Sequence, residues 1–210
     1  MMAKTIYHRP KLNYFIKGNY FWERNEISLS FVAKQRFEDH AEEKLMYMIT
    51  KPEWTVKDFS RMIIGDVKKA RKEGSNDLDK VMQLVGSLPR FLISFVVTTL
   101  RVLDFYGMMP TAISKGDPNF STVLVSNLGS IKAGSAYHHL SNYGTNSIMV
   151  TIGTITNENG VRNLDITFNV DERIADGFYF AKSLRYMKYL MDNPEMMLED
   201  ITKEFPEGII

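Results

Sequence analysis

Two runs of alternating apolar and polar residues, NSIMVTIGTIT (146–156) and RNLDITFNV (162–170), meet across Asn157-Glu158-Asn159-Gly160. Asn-Gly between such runs predicts a tight antiparallel hairpin, because both residues tolerate the positive φ that the turn needs. A hairpin with one apolar face is not stable alone in water, so the rest of the chain has to supply a covering layer.

The remaining pattern supplies both strands and helices. EISLSFVAK (26–34) alternates Ile27, Leu29, Phe31 and Ala33 with polar positions, and NFSTVLVSNLG (119–129) is β-like as well. TVKDFSRMIIGDVKKARKE (55–73) sets Val56, Phe59, Met62, Ile63, Val67 and Ala70 at helical spacing, with Thr55 and Asp58 in its first turn. DLDKVMQLVGSL (77–88) reads as a shorter helix, and Pro89 opens a third through FLISFVVTTL (91–100). The last helix starts at Gly177, where Phe178, Ala181, Leu184, Met187 and Met191 form a stripe expected to face the core until Asn193-Pro194 stops it. The class is α+β, a mixed, mostly antiparallel sheet covered by helices in a single domain over 1–210.

Composition narrows the chemistry. The 26 Lys and Arg residues and 25 Asp and Glu residues leave a formal net charge of +1, so no global field would draw in nucleic acid or an anionic membrane. With no cysteine, disulfides, thiolate metal sites and a cysteine nucleophile are excluded. MMAKTIYHRP lacks the apolar core of a secretory signal, and residues 91–100 are too few to span a bilayer of about 30 Å. A cytoplasmic protein is expected. His138 and His139 have no third spaced ligand, so no metal centre is expected. KKARKE (68–73) and EDHAEEK (38–44), the latter containing His40, read as solvated helix faces, and His8 is expected to pack beside Arg9.

The hairpin's second strand leads to the chemistry. Leu164, Ile166, Phe168 and Val170 alternate with Asp165, Thr167, Asn169 and Asp171, and continuing that parity puts Glu172 on the apolar side. Burial there would raise its pKa, whereas Arg173 or Arg9 nearby would lower it.

DERIADGFYFAKSL (171–184) resembles the signature His-x-x-x-Asp-Gly of the chloramphenicol acetyltransferase-like fold, which the catalytic domains of 2-oxo acid dehydrogenase acyltransferases share. Glu172 stands in the histidine's place and Asp176 matches the aspartate. TVLVSNLGS (122–130) resembles the strand Thr-x-x-Ser-Asn-Leu-Gly, whose serine donates to a tetrahedral oxyanion, a role that falls to Ser126. YHRPKLNYF (7–15) is similar to the opening His-Arg-x-x-x-x-Phe segment, whose arginine braces the signature aspartate and would pair Arg9 with Asp176.

The resemblance implies a two-layer sandwich that assembles as a homotrimer with its sites between subunits. It implies acyl transfer from acyl-coenzyme A to a hydroxyl or thiol of a small-molecule acceptor. Glu172, Ser126, Asp176 and Arg9 would form the catalytic group, with Asn127 and His139 near the acyl donor and His138 or His139 as an alternative imidazole. A second reading is an inactive trimeric homologue that acts as a binding or structural protein. Ser-Asn-Leu-Gly also has a purely architectural reading, a strand-ending turn in which Asn127 and Gly129 supply unusual backbone angles.

Overall fold

A computed structural model of the chain describes residues 1–34, 43–72, 86–110, 114, 117–206 and 208. Helix α1 (Met2–His8) and a 3₁₀ turn (Pro10–Asn13) lead into a hairpin of β1 (Tyr14–Lys17) and β2 (Tyr20–Glu23). Then come β3 (Ser28–Lys34), β4 (Glu43–Ile49), α2 (Val56–Lys72), α3 (Arg90–Phe105), β5 (Val123–Asn127), β6 (Ile148–Glu158), β7 (Val161–Val170) and α4 (Gly177–Asp192).

The main sheet has five strands in the order β4-β3-β5-β6-β7. β3 pairs with β4 and β6 with β7 antiparallel, whereas β5 runs parallel to both β3 and β6. The expected class is confirmed: a mixed sheet with helices packed on it. At the tip of the β6–β7 hairpin Asn159 (φ 54) and Gly160 (φ 83) both take positive φ, as the Asn-Gly pattern requires.

One face of this sheet makes the core. Val123, Ile148 and Val150 pack with Met2, Ile6, Leu12 and Met187, and Ile166, Phe168, Val170 and Phe180 close round them. This is the parity read in the sequence except at Leu164, which is exposed beyond the register shift between Ile152 and Ile155, and α1 and α4 are the layer that covers the face. The stripe assigned to α4 is rotated, however. Met187 is buried with Ser183 and Leu190, while Phe178, Ala181, Leu184 and Met191 are exposed. Ser183 accounts for the difference: its hydroxyl donates to the Tyr179 carbonyl at 2.8 Å and accepts from Arg9 Nε at 3.2 Å, so a polar residue occupies the inward face.

Two other readings change. EDHAEEK is not a solvated helix face where it is described: Glu43 begins β4 and Lys44 is buried. Residues 38–42, including His40, lie outside the described residues, as does most of the expected helix 77–88. The α2 stripe is not core either, since Val56, Met62 and Ile63 are exposed. Its N-terminus forms as the sequence suggests, with the Asp58 carboxylate accepting from the Thr55 N–H (3.0 Å) and hydroxyl (2.8 Å).

His8 lies between Tyr7 and Phe205, edge-on to the latter with ring centroids 5.0 Å apart, and its Nε2 is buried without a partner. Burial lowers the His8 pKa from its ordinary value of 6.5, Lys4 adds to this, and the carbonyls of Ile201 and Lys203 and the Glu204 charge oppose it. The unfolded state therefore holds the proton more tightly, and stability falls as pH drops below about 6.5. A lower urea midpoint at pH 5.5 than at pH 7.5 is expected, with the difference reduced in His8→Leu. An equal pH difference in the variant would remove His8 as its source.

Candidate functional site

The candidate residues occupy two places on the sheet. Ser126 is the fourth residue of β5, on the face opposite the helices, and is half-buried. Its hydroxyl makes no hydrogen bond to any described residue, so its proton is available to an incoming group. In register it stands beside Thr151 of β6, which stands beside Thr167 of β7. Thr151 is 0% exposed and its hydroxyl has no partner among the described residues. The sequence reading did not single out Thr151. Its only signal was a polar position in the alternation of β6, and its place beside Ser126 follows from the parallel register.

The turn after Ser126 is built by its neighbours. Asn127 is exposed, and its side-chain oxygen accepts from the Ser130 N–H at 3.2 Å while the Ser130 hydroxyl donates to the Asn127 carbonyl at 2.7 Å. The unusual backbone angle belongs to Lys132 (φ 61), not to Asn127 (φ −103) or Gly129. Gly129 is required by proximity: a Cβ there would stand 2.4 Å from the Gly153 carbonyl oxygen of β6.

The signature lies at the far end of β7. Glu172 does not continue the strand's parity. Asp171 ends the ladder by accepting from the Arg173 N–H at 3.1 Å, which starts a 3₁₀ turn (Glu172–Ile174). Ile174 takes the buried position and Glu172 is exposed in the single chain. Arg173 is spent on Asp171, which it grips through Nε at 2.8 Å and a terminal nitrogen at 2.6 Å, holding that carboxyl below its usual range. Glu172 makes no hydrogen bond or ion pair with any described residue.

Arg9 and Asp176 do not pair directly. Both hold Tyr179. Asp176 caps α4 by accepting the Tyr179 N–H at 2.8 Å, while Arg9 donates to the Tyr179 carbonyl at 3.1 Å and lies 3.6 Å over its ring. Arginine and aspartate thus brace the same helical turn from its two sides. His138 and His139 are exposed, and the His138 backbone N–H and C=O pair with the Asn169 side-chain amide at 3.2 and 3.3 Å. The loop that carries them therefore crosses the helix-free face three residues before Glu172.

The two places lie on different strands and at different levels of the sheet. Thr167 marks the Ser126 level on β7, which runs three residues further, about 10 Å, to Val170 before the 3₁₀ turn that carries Glu172, and two strand spacings of roughly 5 Å separate β5 from β7. The two side chains together reach roughly 7 Å. The cavity of about 200 Å³ bounded by Met2, Leu29, Trp54, Phe59, Met197 and Ile201 lies elsewhere and is lined by none of the candidate residues. No cluster of metal-ligating side chains occurs among the described residues, and no described helix is long and apolar enough to cross a membrane.

No protein-family model and no curated protein sequence matches the chain. Solved structures do. The chain is similar to a probable dihydrolipoamide acetyltransferase from Listeria monocytogenes (16% identity, TM-score 0.56, covering 91% of this chain and 66% of that one). It is also similar to dihydrolipoamide acetyltransferase of Azotobacter vinelandii (12%, 0.57, 94% and 67%), whose catalytic mechanism has been investigated at a serine, a histidine and an asparagine. A truncated catalytic core of the 2-oxoacid dehydrogenase multienzyme complex from Thermoplasma acidophilum matches at 12% identity and TM-score 0.59, over 92% of this chain and 71% of that one. The chain spans about two thirds of the length of these structures, and over that length it has the fold of the dihydrolipoamide acetyltransferase catalytic core.

Proposed function

We propose that this chain transfers an acyl group from acyl-coenzyme A to a hydroxyl or thiol of a small molecule, at a site that two copies complete within a homotrimer. The observation that carries the reading is the placement of Ser126 and Glu172. Each has a polar group bonded to no described residue, each matches a position of the acyltransferase signature by sequence, and the two lie on different strands and at different levels of the sheet.

In this reading the Glu172 carboxylate takes the proton from the acceptor's O–H or S–H as that atom attacks the thioester carbonyl. The Ser126 hydroxyl donates to the oxyanion that forms. The C–S bond then breaks, and the coenzyme A thiolate receives the proton from Glu172. Asp176 and Arg9 act on positioning alone, by holding the Tyr179 turn that follows the signature. The serine, histidine and asparagine of the Azotobacter enzyme support this assignment, because its histidine and asparagine are four residues apart, the spacing of Glu172 and Asp176. Asn127 and His139 are the candidates for contact with the acyl donor. Asn127 presents its amide nitrogen, its oxygen being occupied by Ser130.

Calorimetric titration with acetyl-coenzyme A, followed by turnover on a panel of thiol and hydroxyl acceptors, tests the reading. Saturable binding below millimolar concentration with measurable turnover is expected. No binding at millimolar ligand would overturn it, and binding without turnover would favour the inactive, ligand-binding homologue, a reading that the absence of the signature histidine motivates.

A further inference from the structure

Helix α3 carries two apolar seams. Ile93, Val96, Leu100 and Leu103 are half-buried. About 200° round the helix, at roughly 3.6 residues per turn, Phe91, Phe95, Thr98, Val102 and Phe105 follow one another at spacings of four, three, four and three. Phe91 is 73% exposed, Phe95 70%, Val102 50% and Phe105 52%, Thr98 is exposed as well, and no residue of the helix is fully buried. Such spacing is that of a seam between paired helices, and a helix that is apolar on both sides is normally covered on both.

The seam itself indicates what covers it. It carries no charge: Arg90 and Arg101 lie off it, and Asp104 is held by Lys17 at 2.6 Å. A copy of the same seam therefore meets no like charge. Its residues are also close to palindromic about Thr98. An antiparallel pair about Thr98 sets Phe91 against Phe105 of the partner subunit and the two Thr98 residues against each other, and brings Phe95 to within one residue, about 1.5 Å along the axis, of Val102 of the partner subunit. That is the self-complementarity a two-fold contact demands.

The helix is fastened to its own chain at one end. Gly18 of the β1–β2 turn approaches the Phe105 carbonyl so closely that a Cβ would overlap it, and Trp22 lies against Gly107. Antiparallel pairing places these attached ends at opposite ends of the contact. The four large residues leave roughly 500 Å² exposed, so two such faces can bury at most roughly 1,000 Å² from these residues, the lower bound for a specific interface.

We propose that α3 pairs antiparallel with α3 of a second copy of this chain, across a two-fold axis at Thr98. This contact is separate from any three-fold one and independent of acyl transfer, and it would join trimers in pairs.

The chain's lack of cysteine makes the test direct. Thr98→Cys, oxidised at micromolar concentration, is expected to give a disulfide-linked dimer on a non-reducing gel. Arg101→Cys should stay unlinked, because its two copies are offset by about 9 Å along the helix and a disulfide needs Cα atoms within roughly 7 Å. Phe95→Asp should halve the native mass measured by light scattering while circular dichroism is unchanged. A folded Thr98→Cys that stays unlinked, equal linking by Arg101→Cys, or an unchanged native mass in Phe95→Asp would each overturn the proposal. A seam covered by a different protein would show itself as the first of these. None of the readouts requires an acyl donor.

Discussion

Replacing Glu172 by glutamine is expected to lower acyl transfer by about 10²- to 10⁴-fold, the range that separates enzymes with and without a positioned general base. Glutamine keeps the size and shape of the side chain while removing its charge and its ability to take a proton. Glu172 is exposed and bonded to no described residue, so the change should leave the unfolding midpoint within about 0.5 kcal/mol of the unsubstituted chain. Loss of rate with retained stability marks a chemical role rather than an architectural one. Turnover unchanged in Glu172→Gln but raised in Glu172→His would show that the native glutamate is not the base, and that the turn merely retains the shape of a site built for imidazole.

The second large effect is expected at Gly129. An alanine Cβ there would lie 2.4 Å from the Gly153 oxygen, 2.9 Å from its carbonyl carbon and 3.2 Å from the Thr154 Cα, all of them β6 backbone. No side chain can swing aside to make room. The turn of residues 128–131 must move off β6, at a cost of about 2–3 kcal/mol, and the Ser126–Thr151 register moves with it. Urea unfolding should show that loss, and acyl transfer should fall beyond what the lower folded population explains. Gly65→Ala is the control. It sits in α2 with nothing within 4 Å of its would-be Cβ, and it should gain up to about 1 kcal/mol from helix propensity. A Gly129→Ala chain as stable as the parent would mean that the turn is looser than the geometry describes.

What could be read without coordinates was what repeats locally. β6, β7 and the turn between them follow from alternation and one Asn-Gly pair, and α2 follows from its 3.6-residue period. β4 was missed because both of its faces are mixed: Lys44, Met46 and Met48 alternate with Leu45, Tyr47 and Ile49, so apolar residues fall on every phase. The β1–β2 hairpin carried a usable signal, since Gly18 and Asn19 both take positive φ between two aromatic runs.

The site was legible as a set of residues but not as an arrangement. The signature turn, Ser126 and Arg9 stood out, yet the place of Glu172 depended on where the strand ended. Asp171 decides that by capping a 3₁₀ turn, which alternation does not register. The inward face of α4 was misassigned for a similar reason, because the buried Ser183 is held by Arg9 from 174 positions away. Long-range polar contacts of this kind leave no periodic trace. The separation of Ser126 from Glu172 likewise emerges only once the parallel register of β5 on β6 is known.

That separation also offers the sharpest test. Ser126→Ala and Glu172→Gln chains, each nearly inactive alone, are to be mixed in equal amounts, unfolded and refolded together, and assayed for acyl transfer. If one copy supplies the serine and its neighbour the glutamate, about a quarter of the sites in randomly mixed assemblies hold both intact groups. Recovery of about a quarter of the unsubstituted activity is predicted. Activity that stays at the level of the two parents would contradict a site shared between copies.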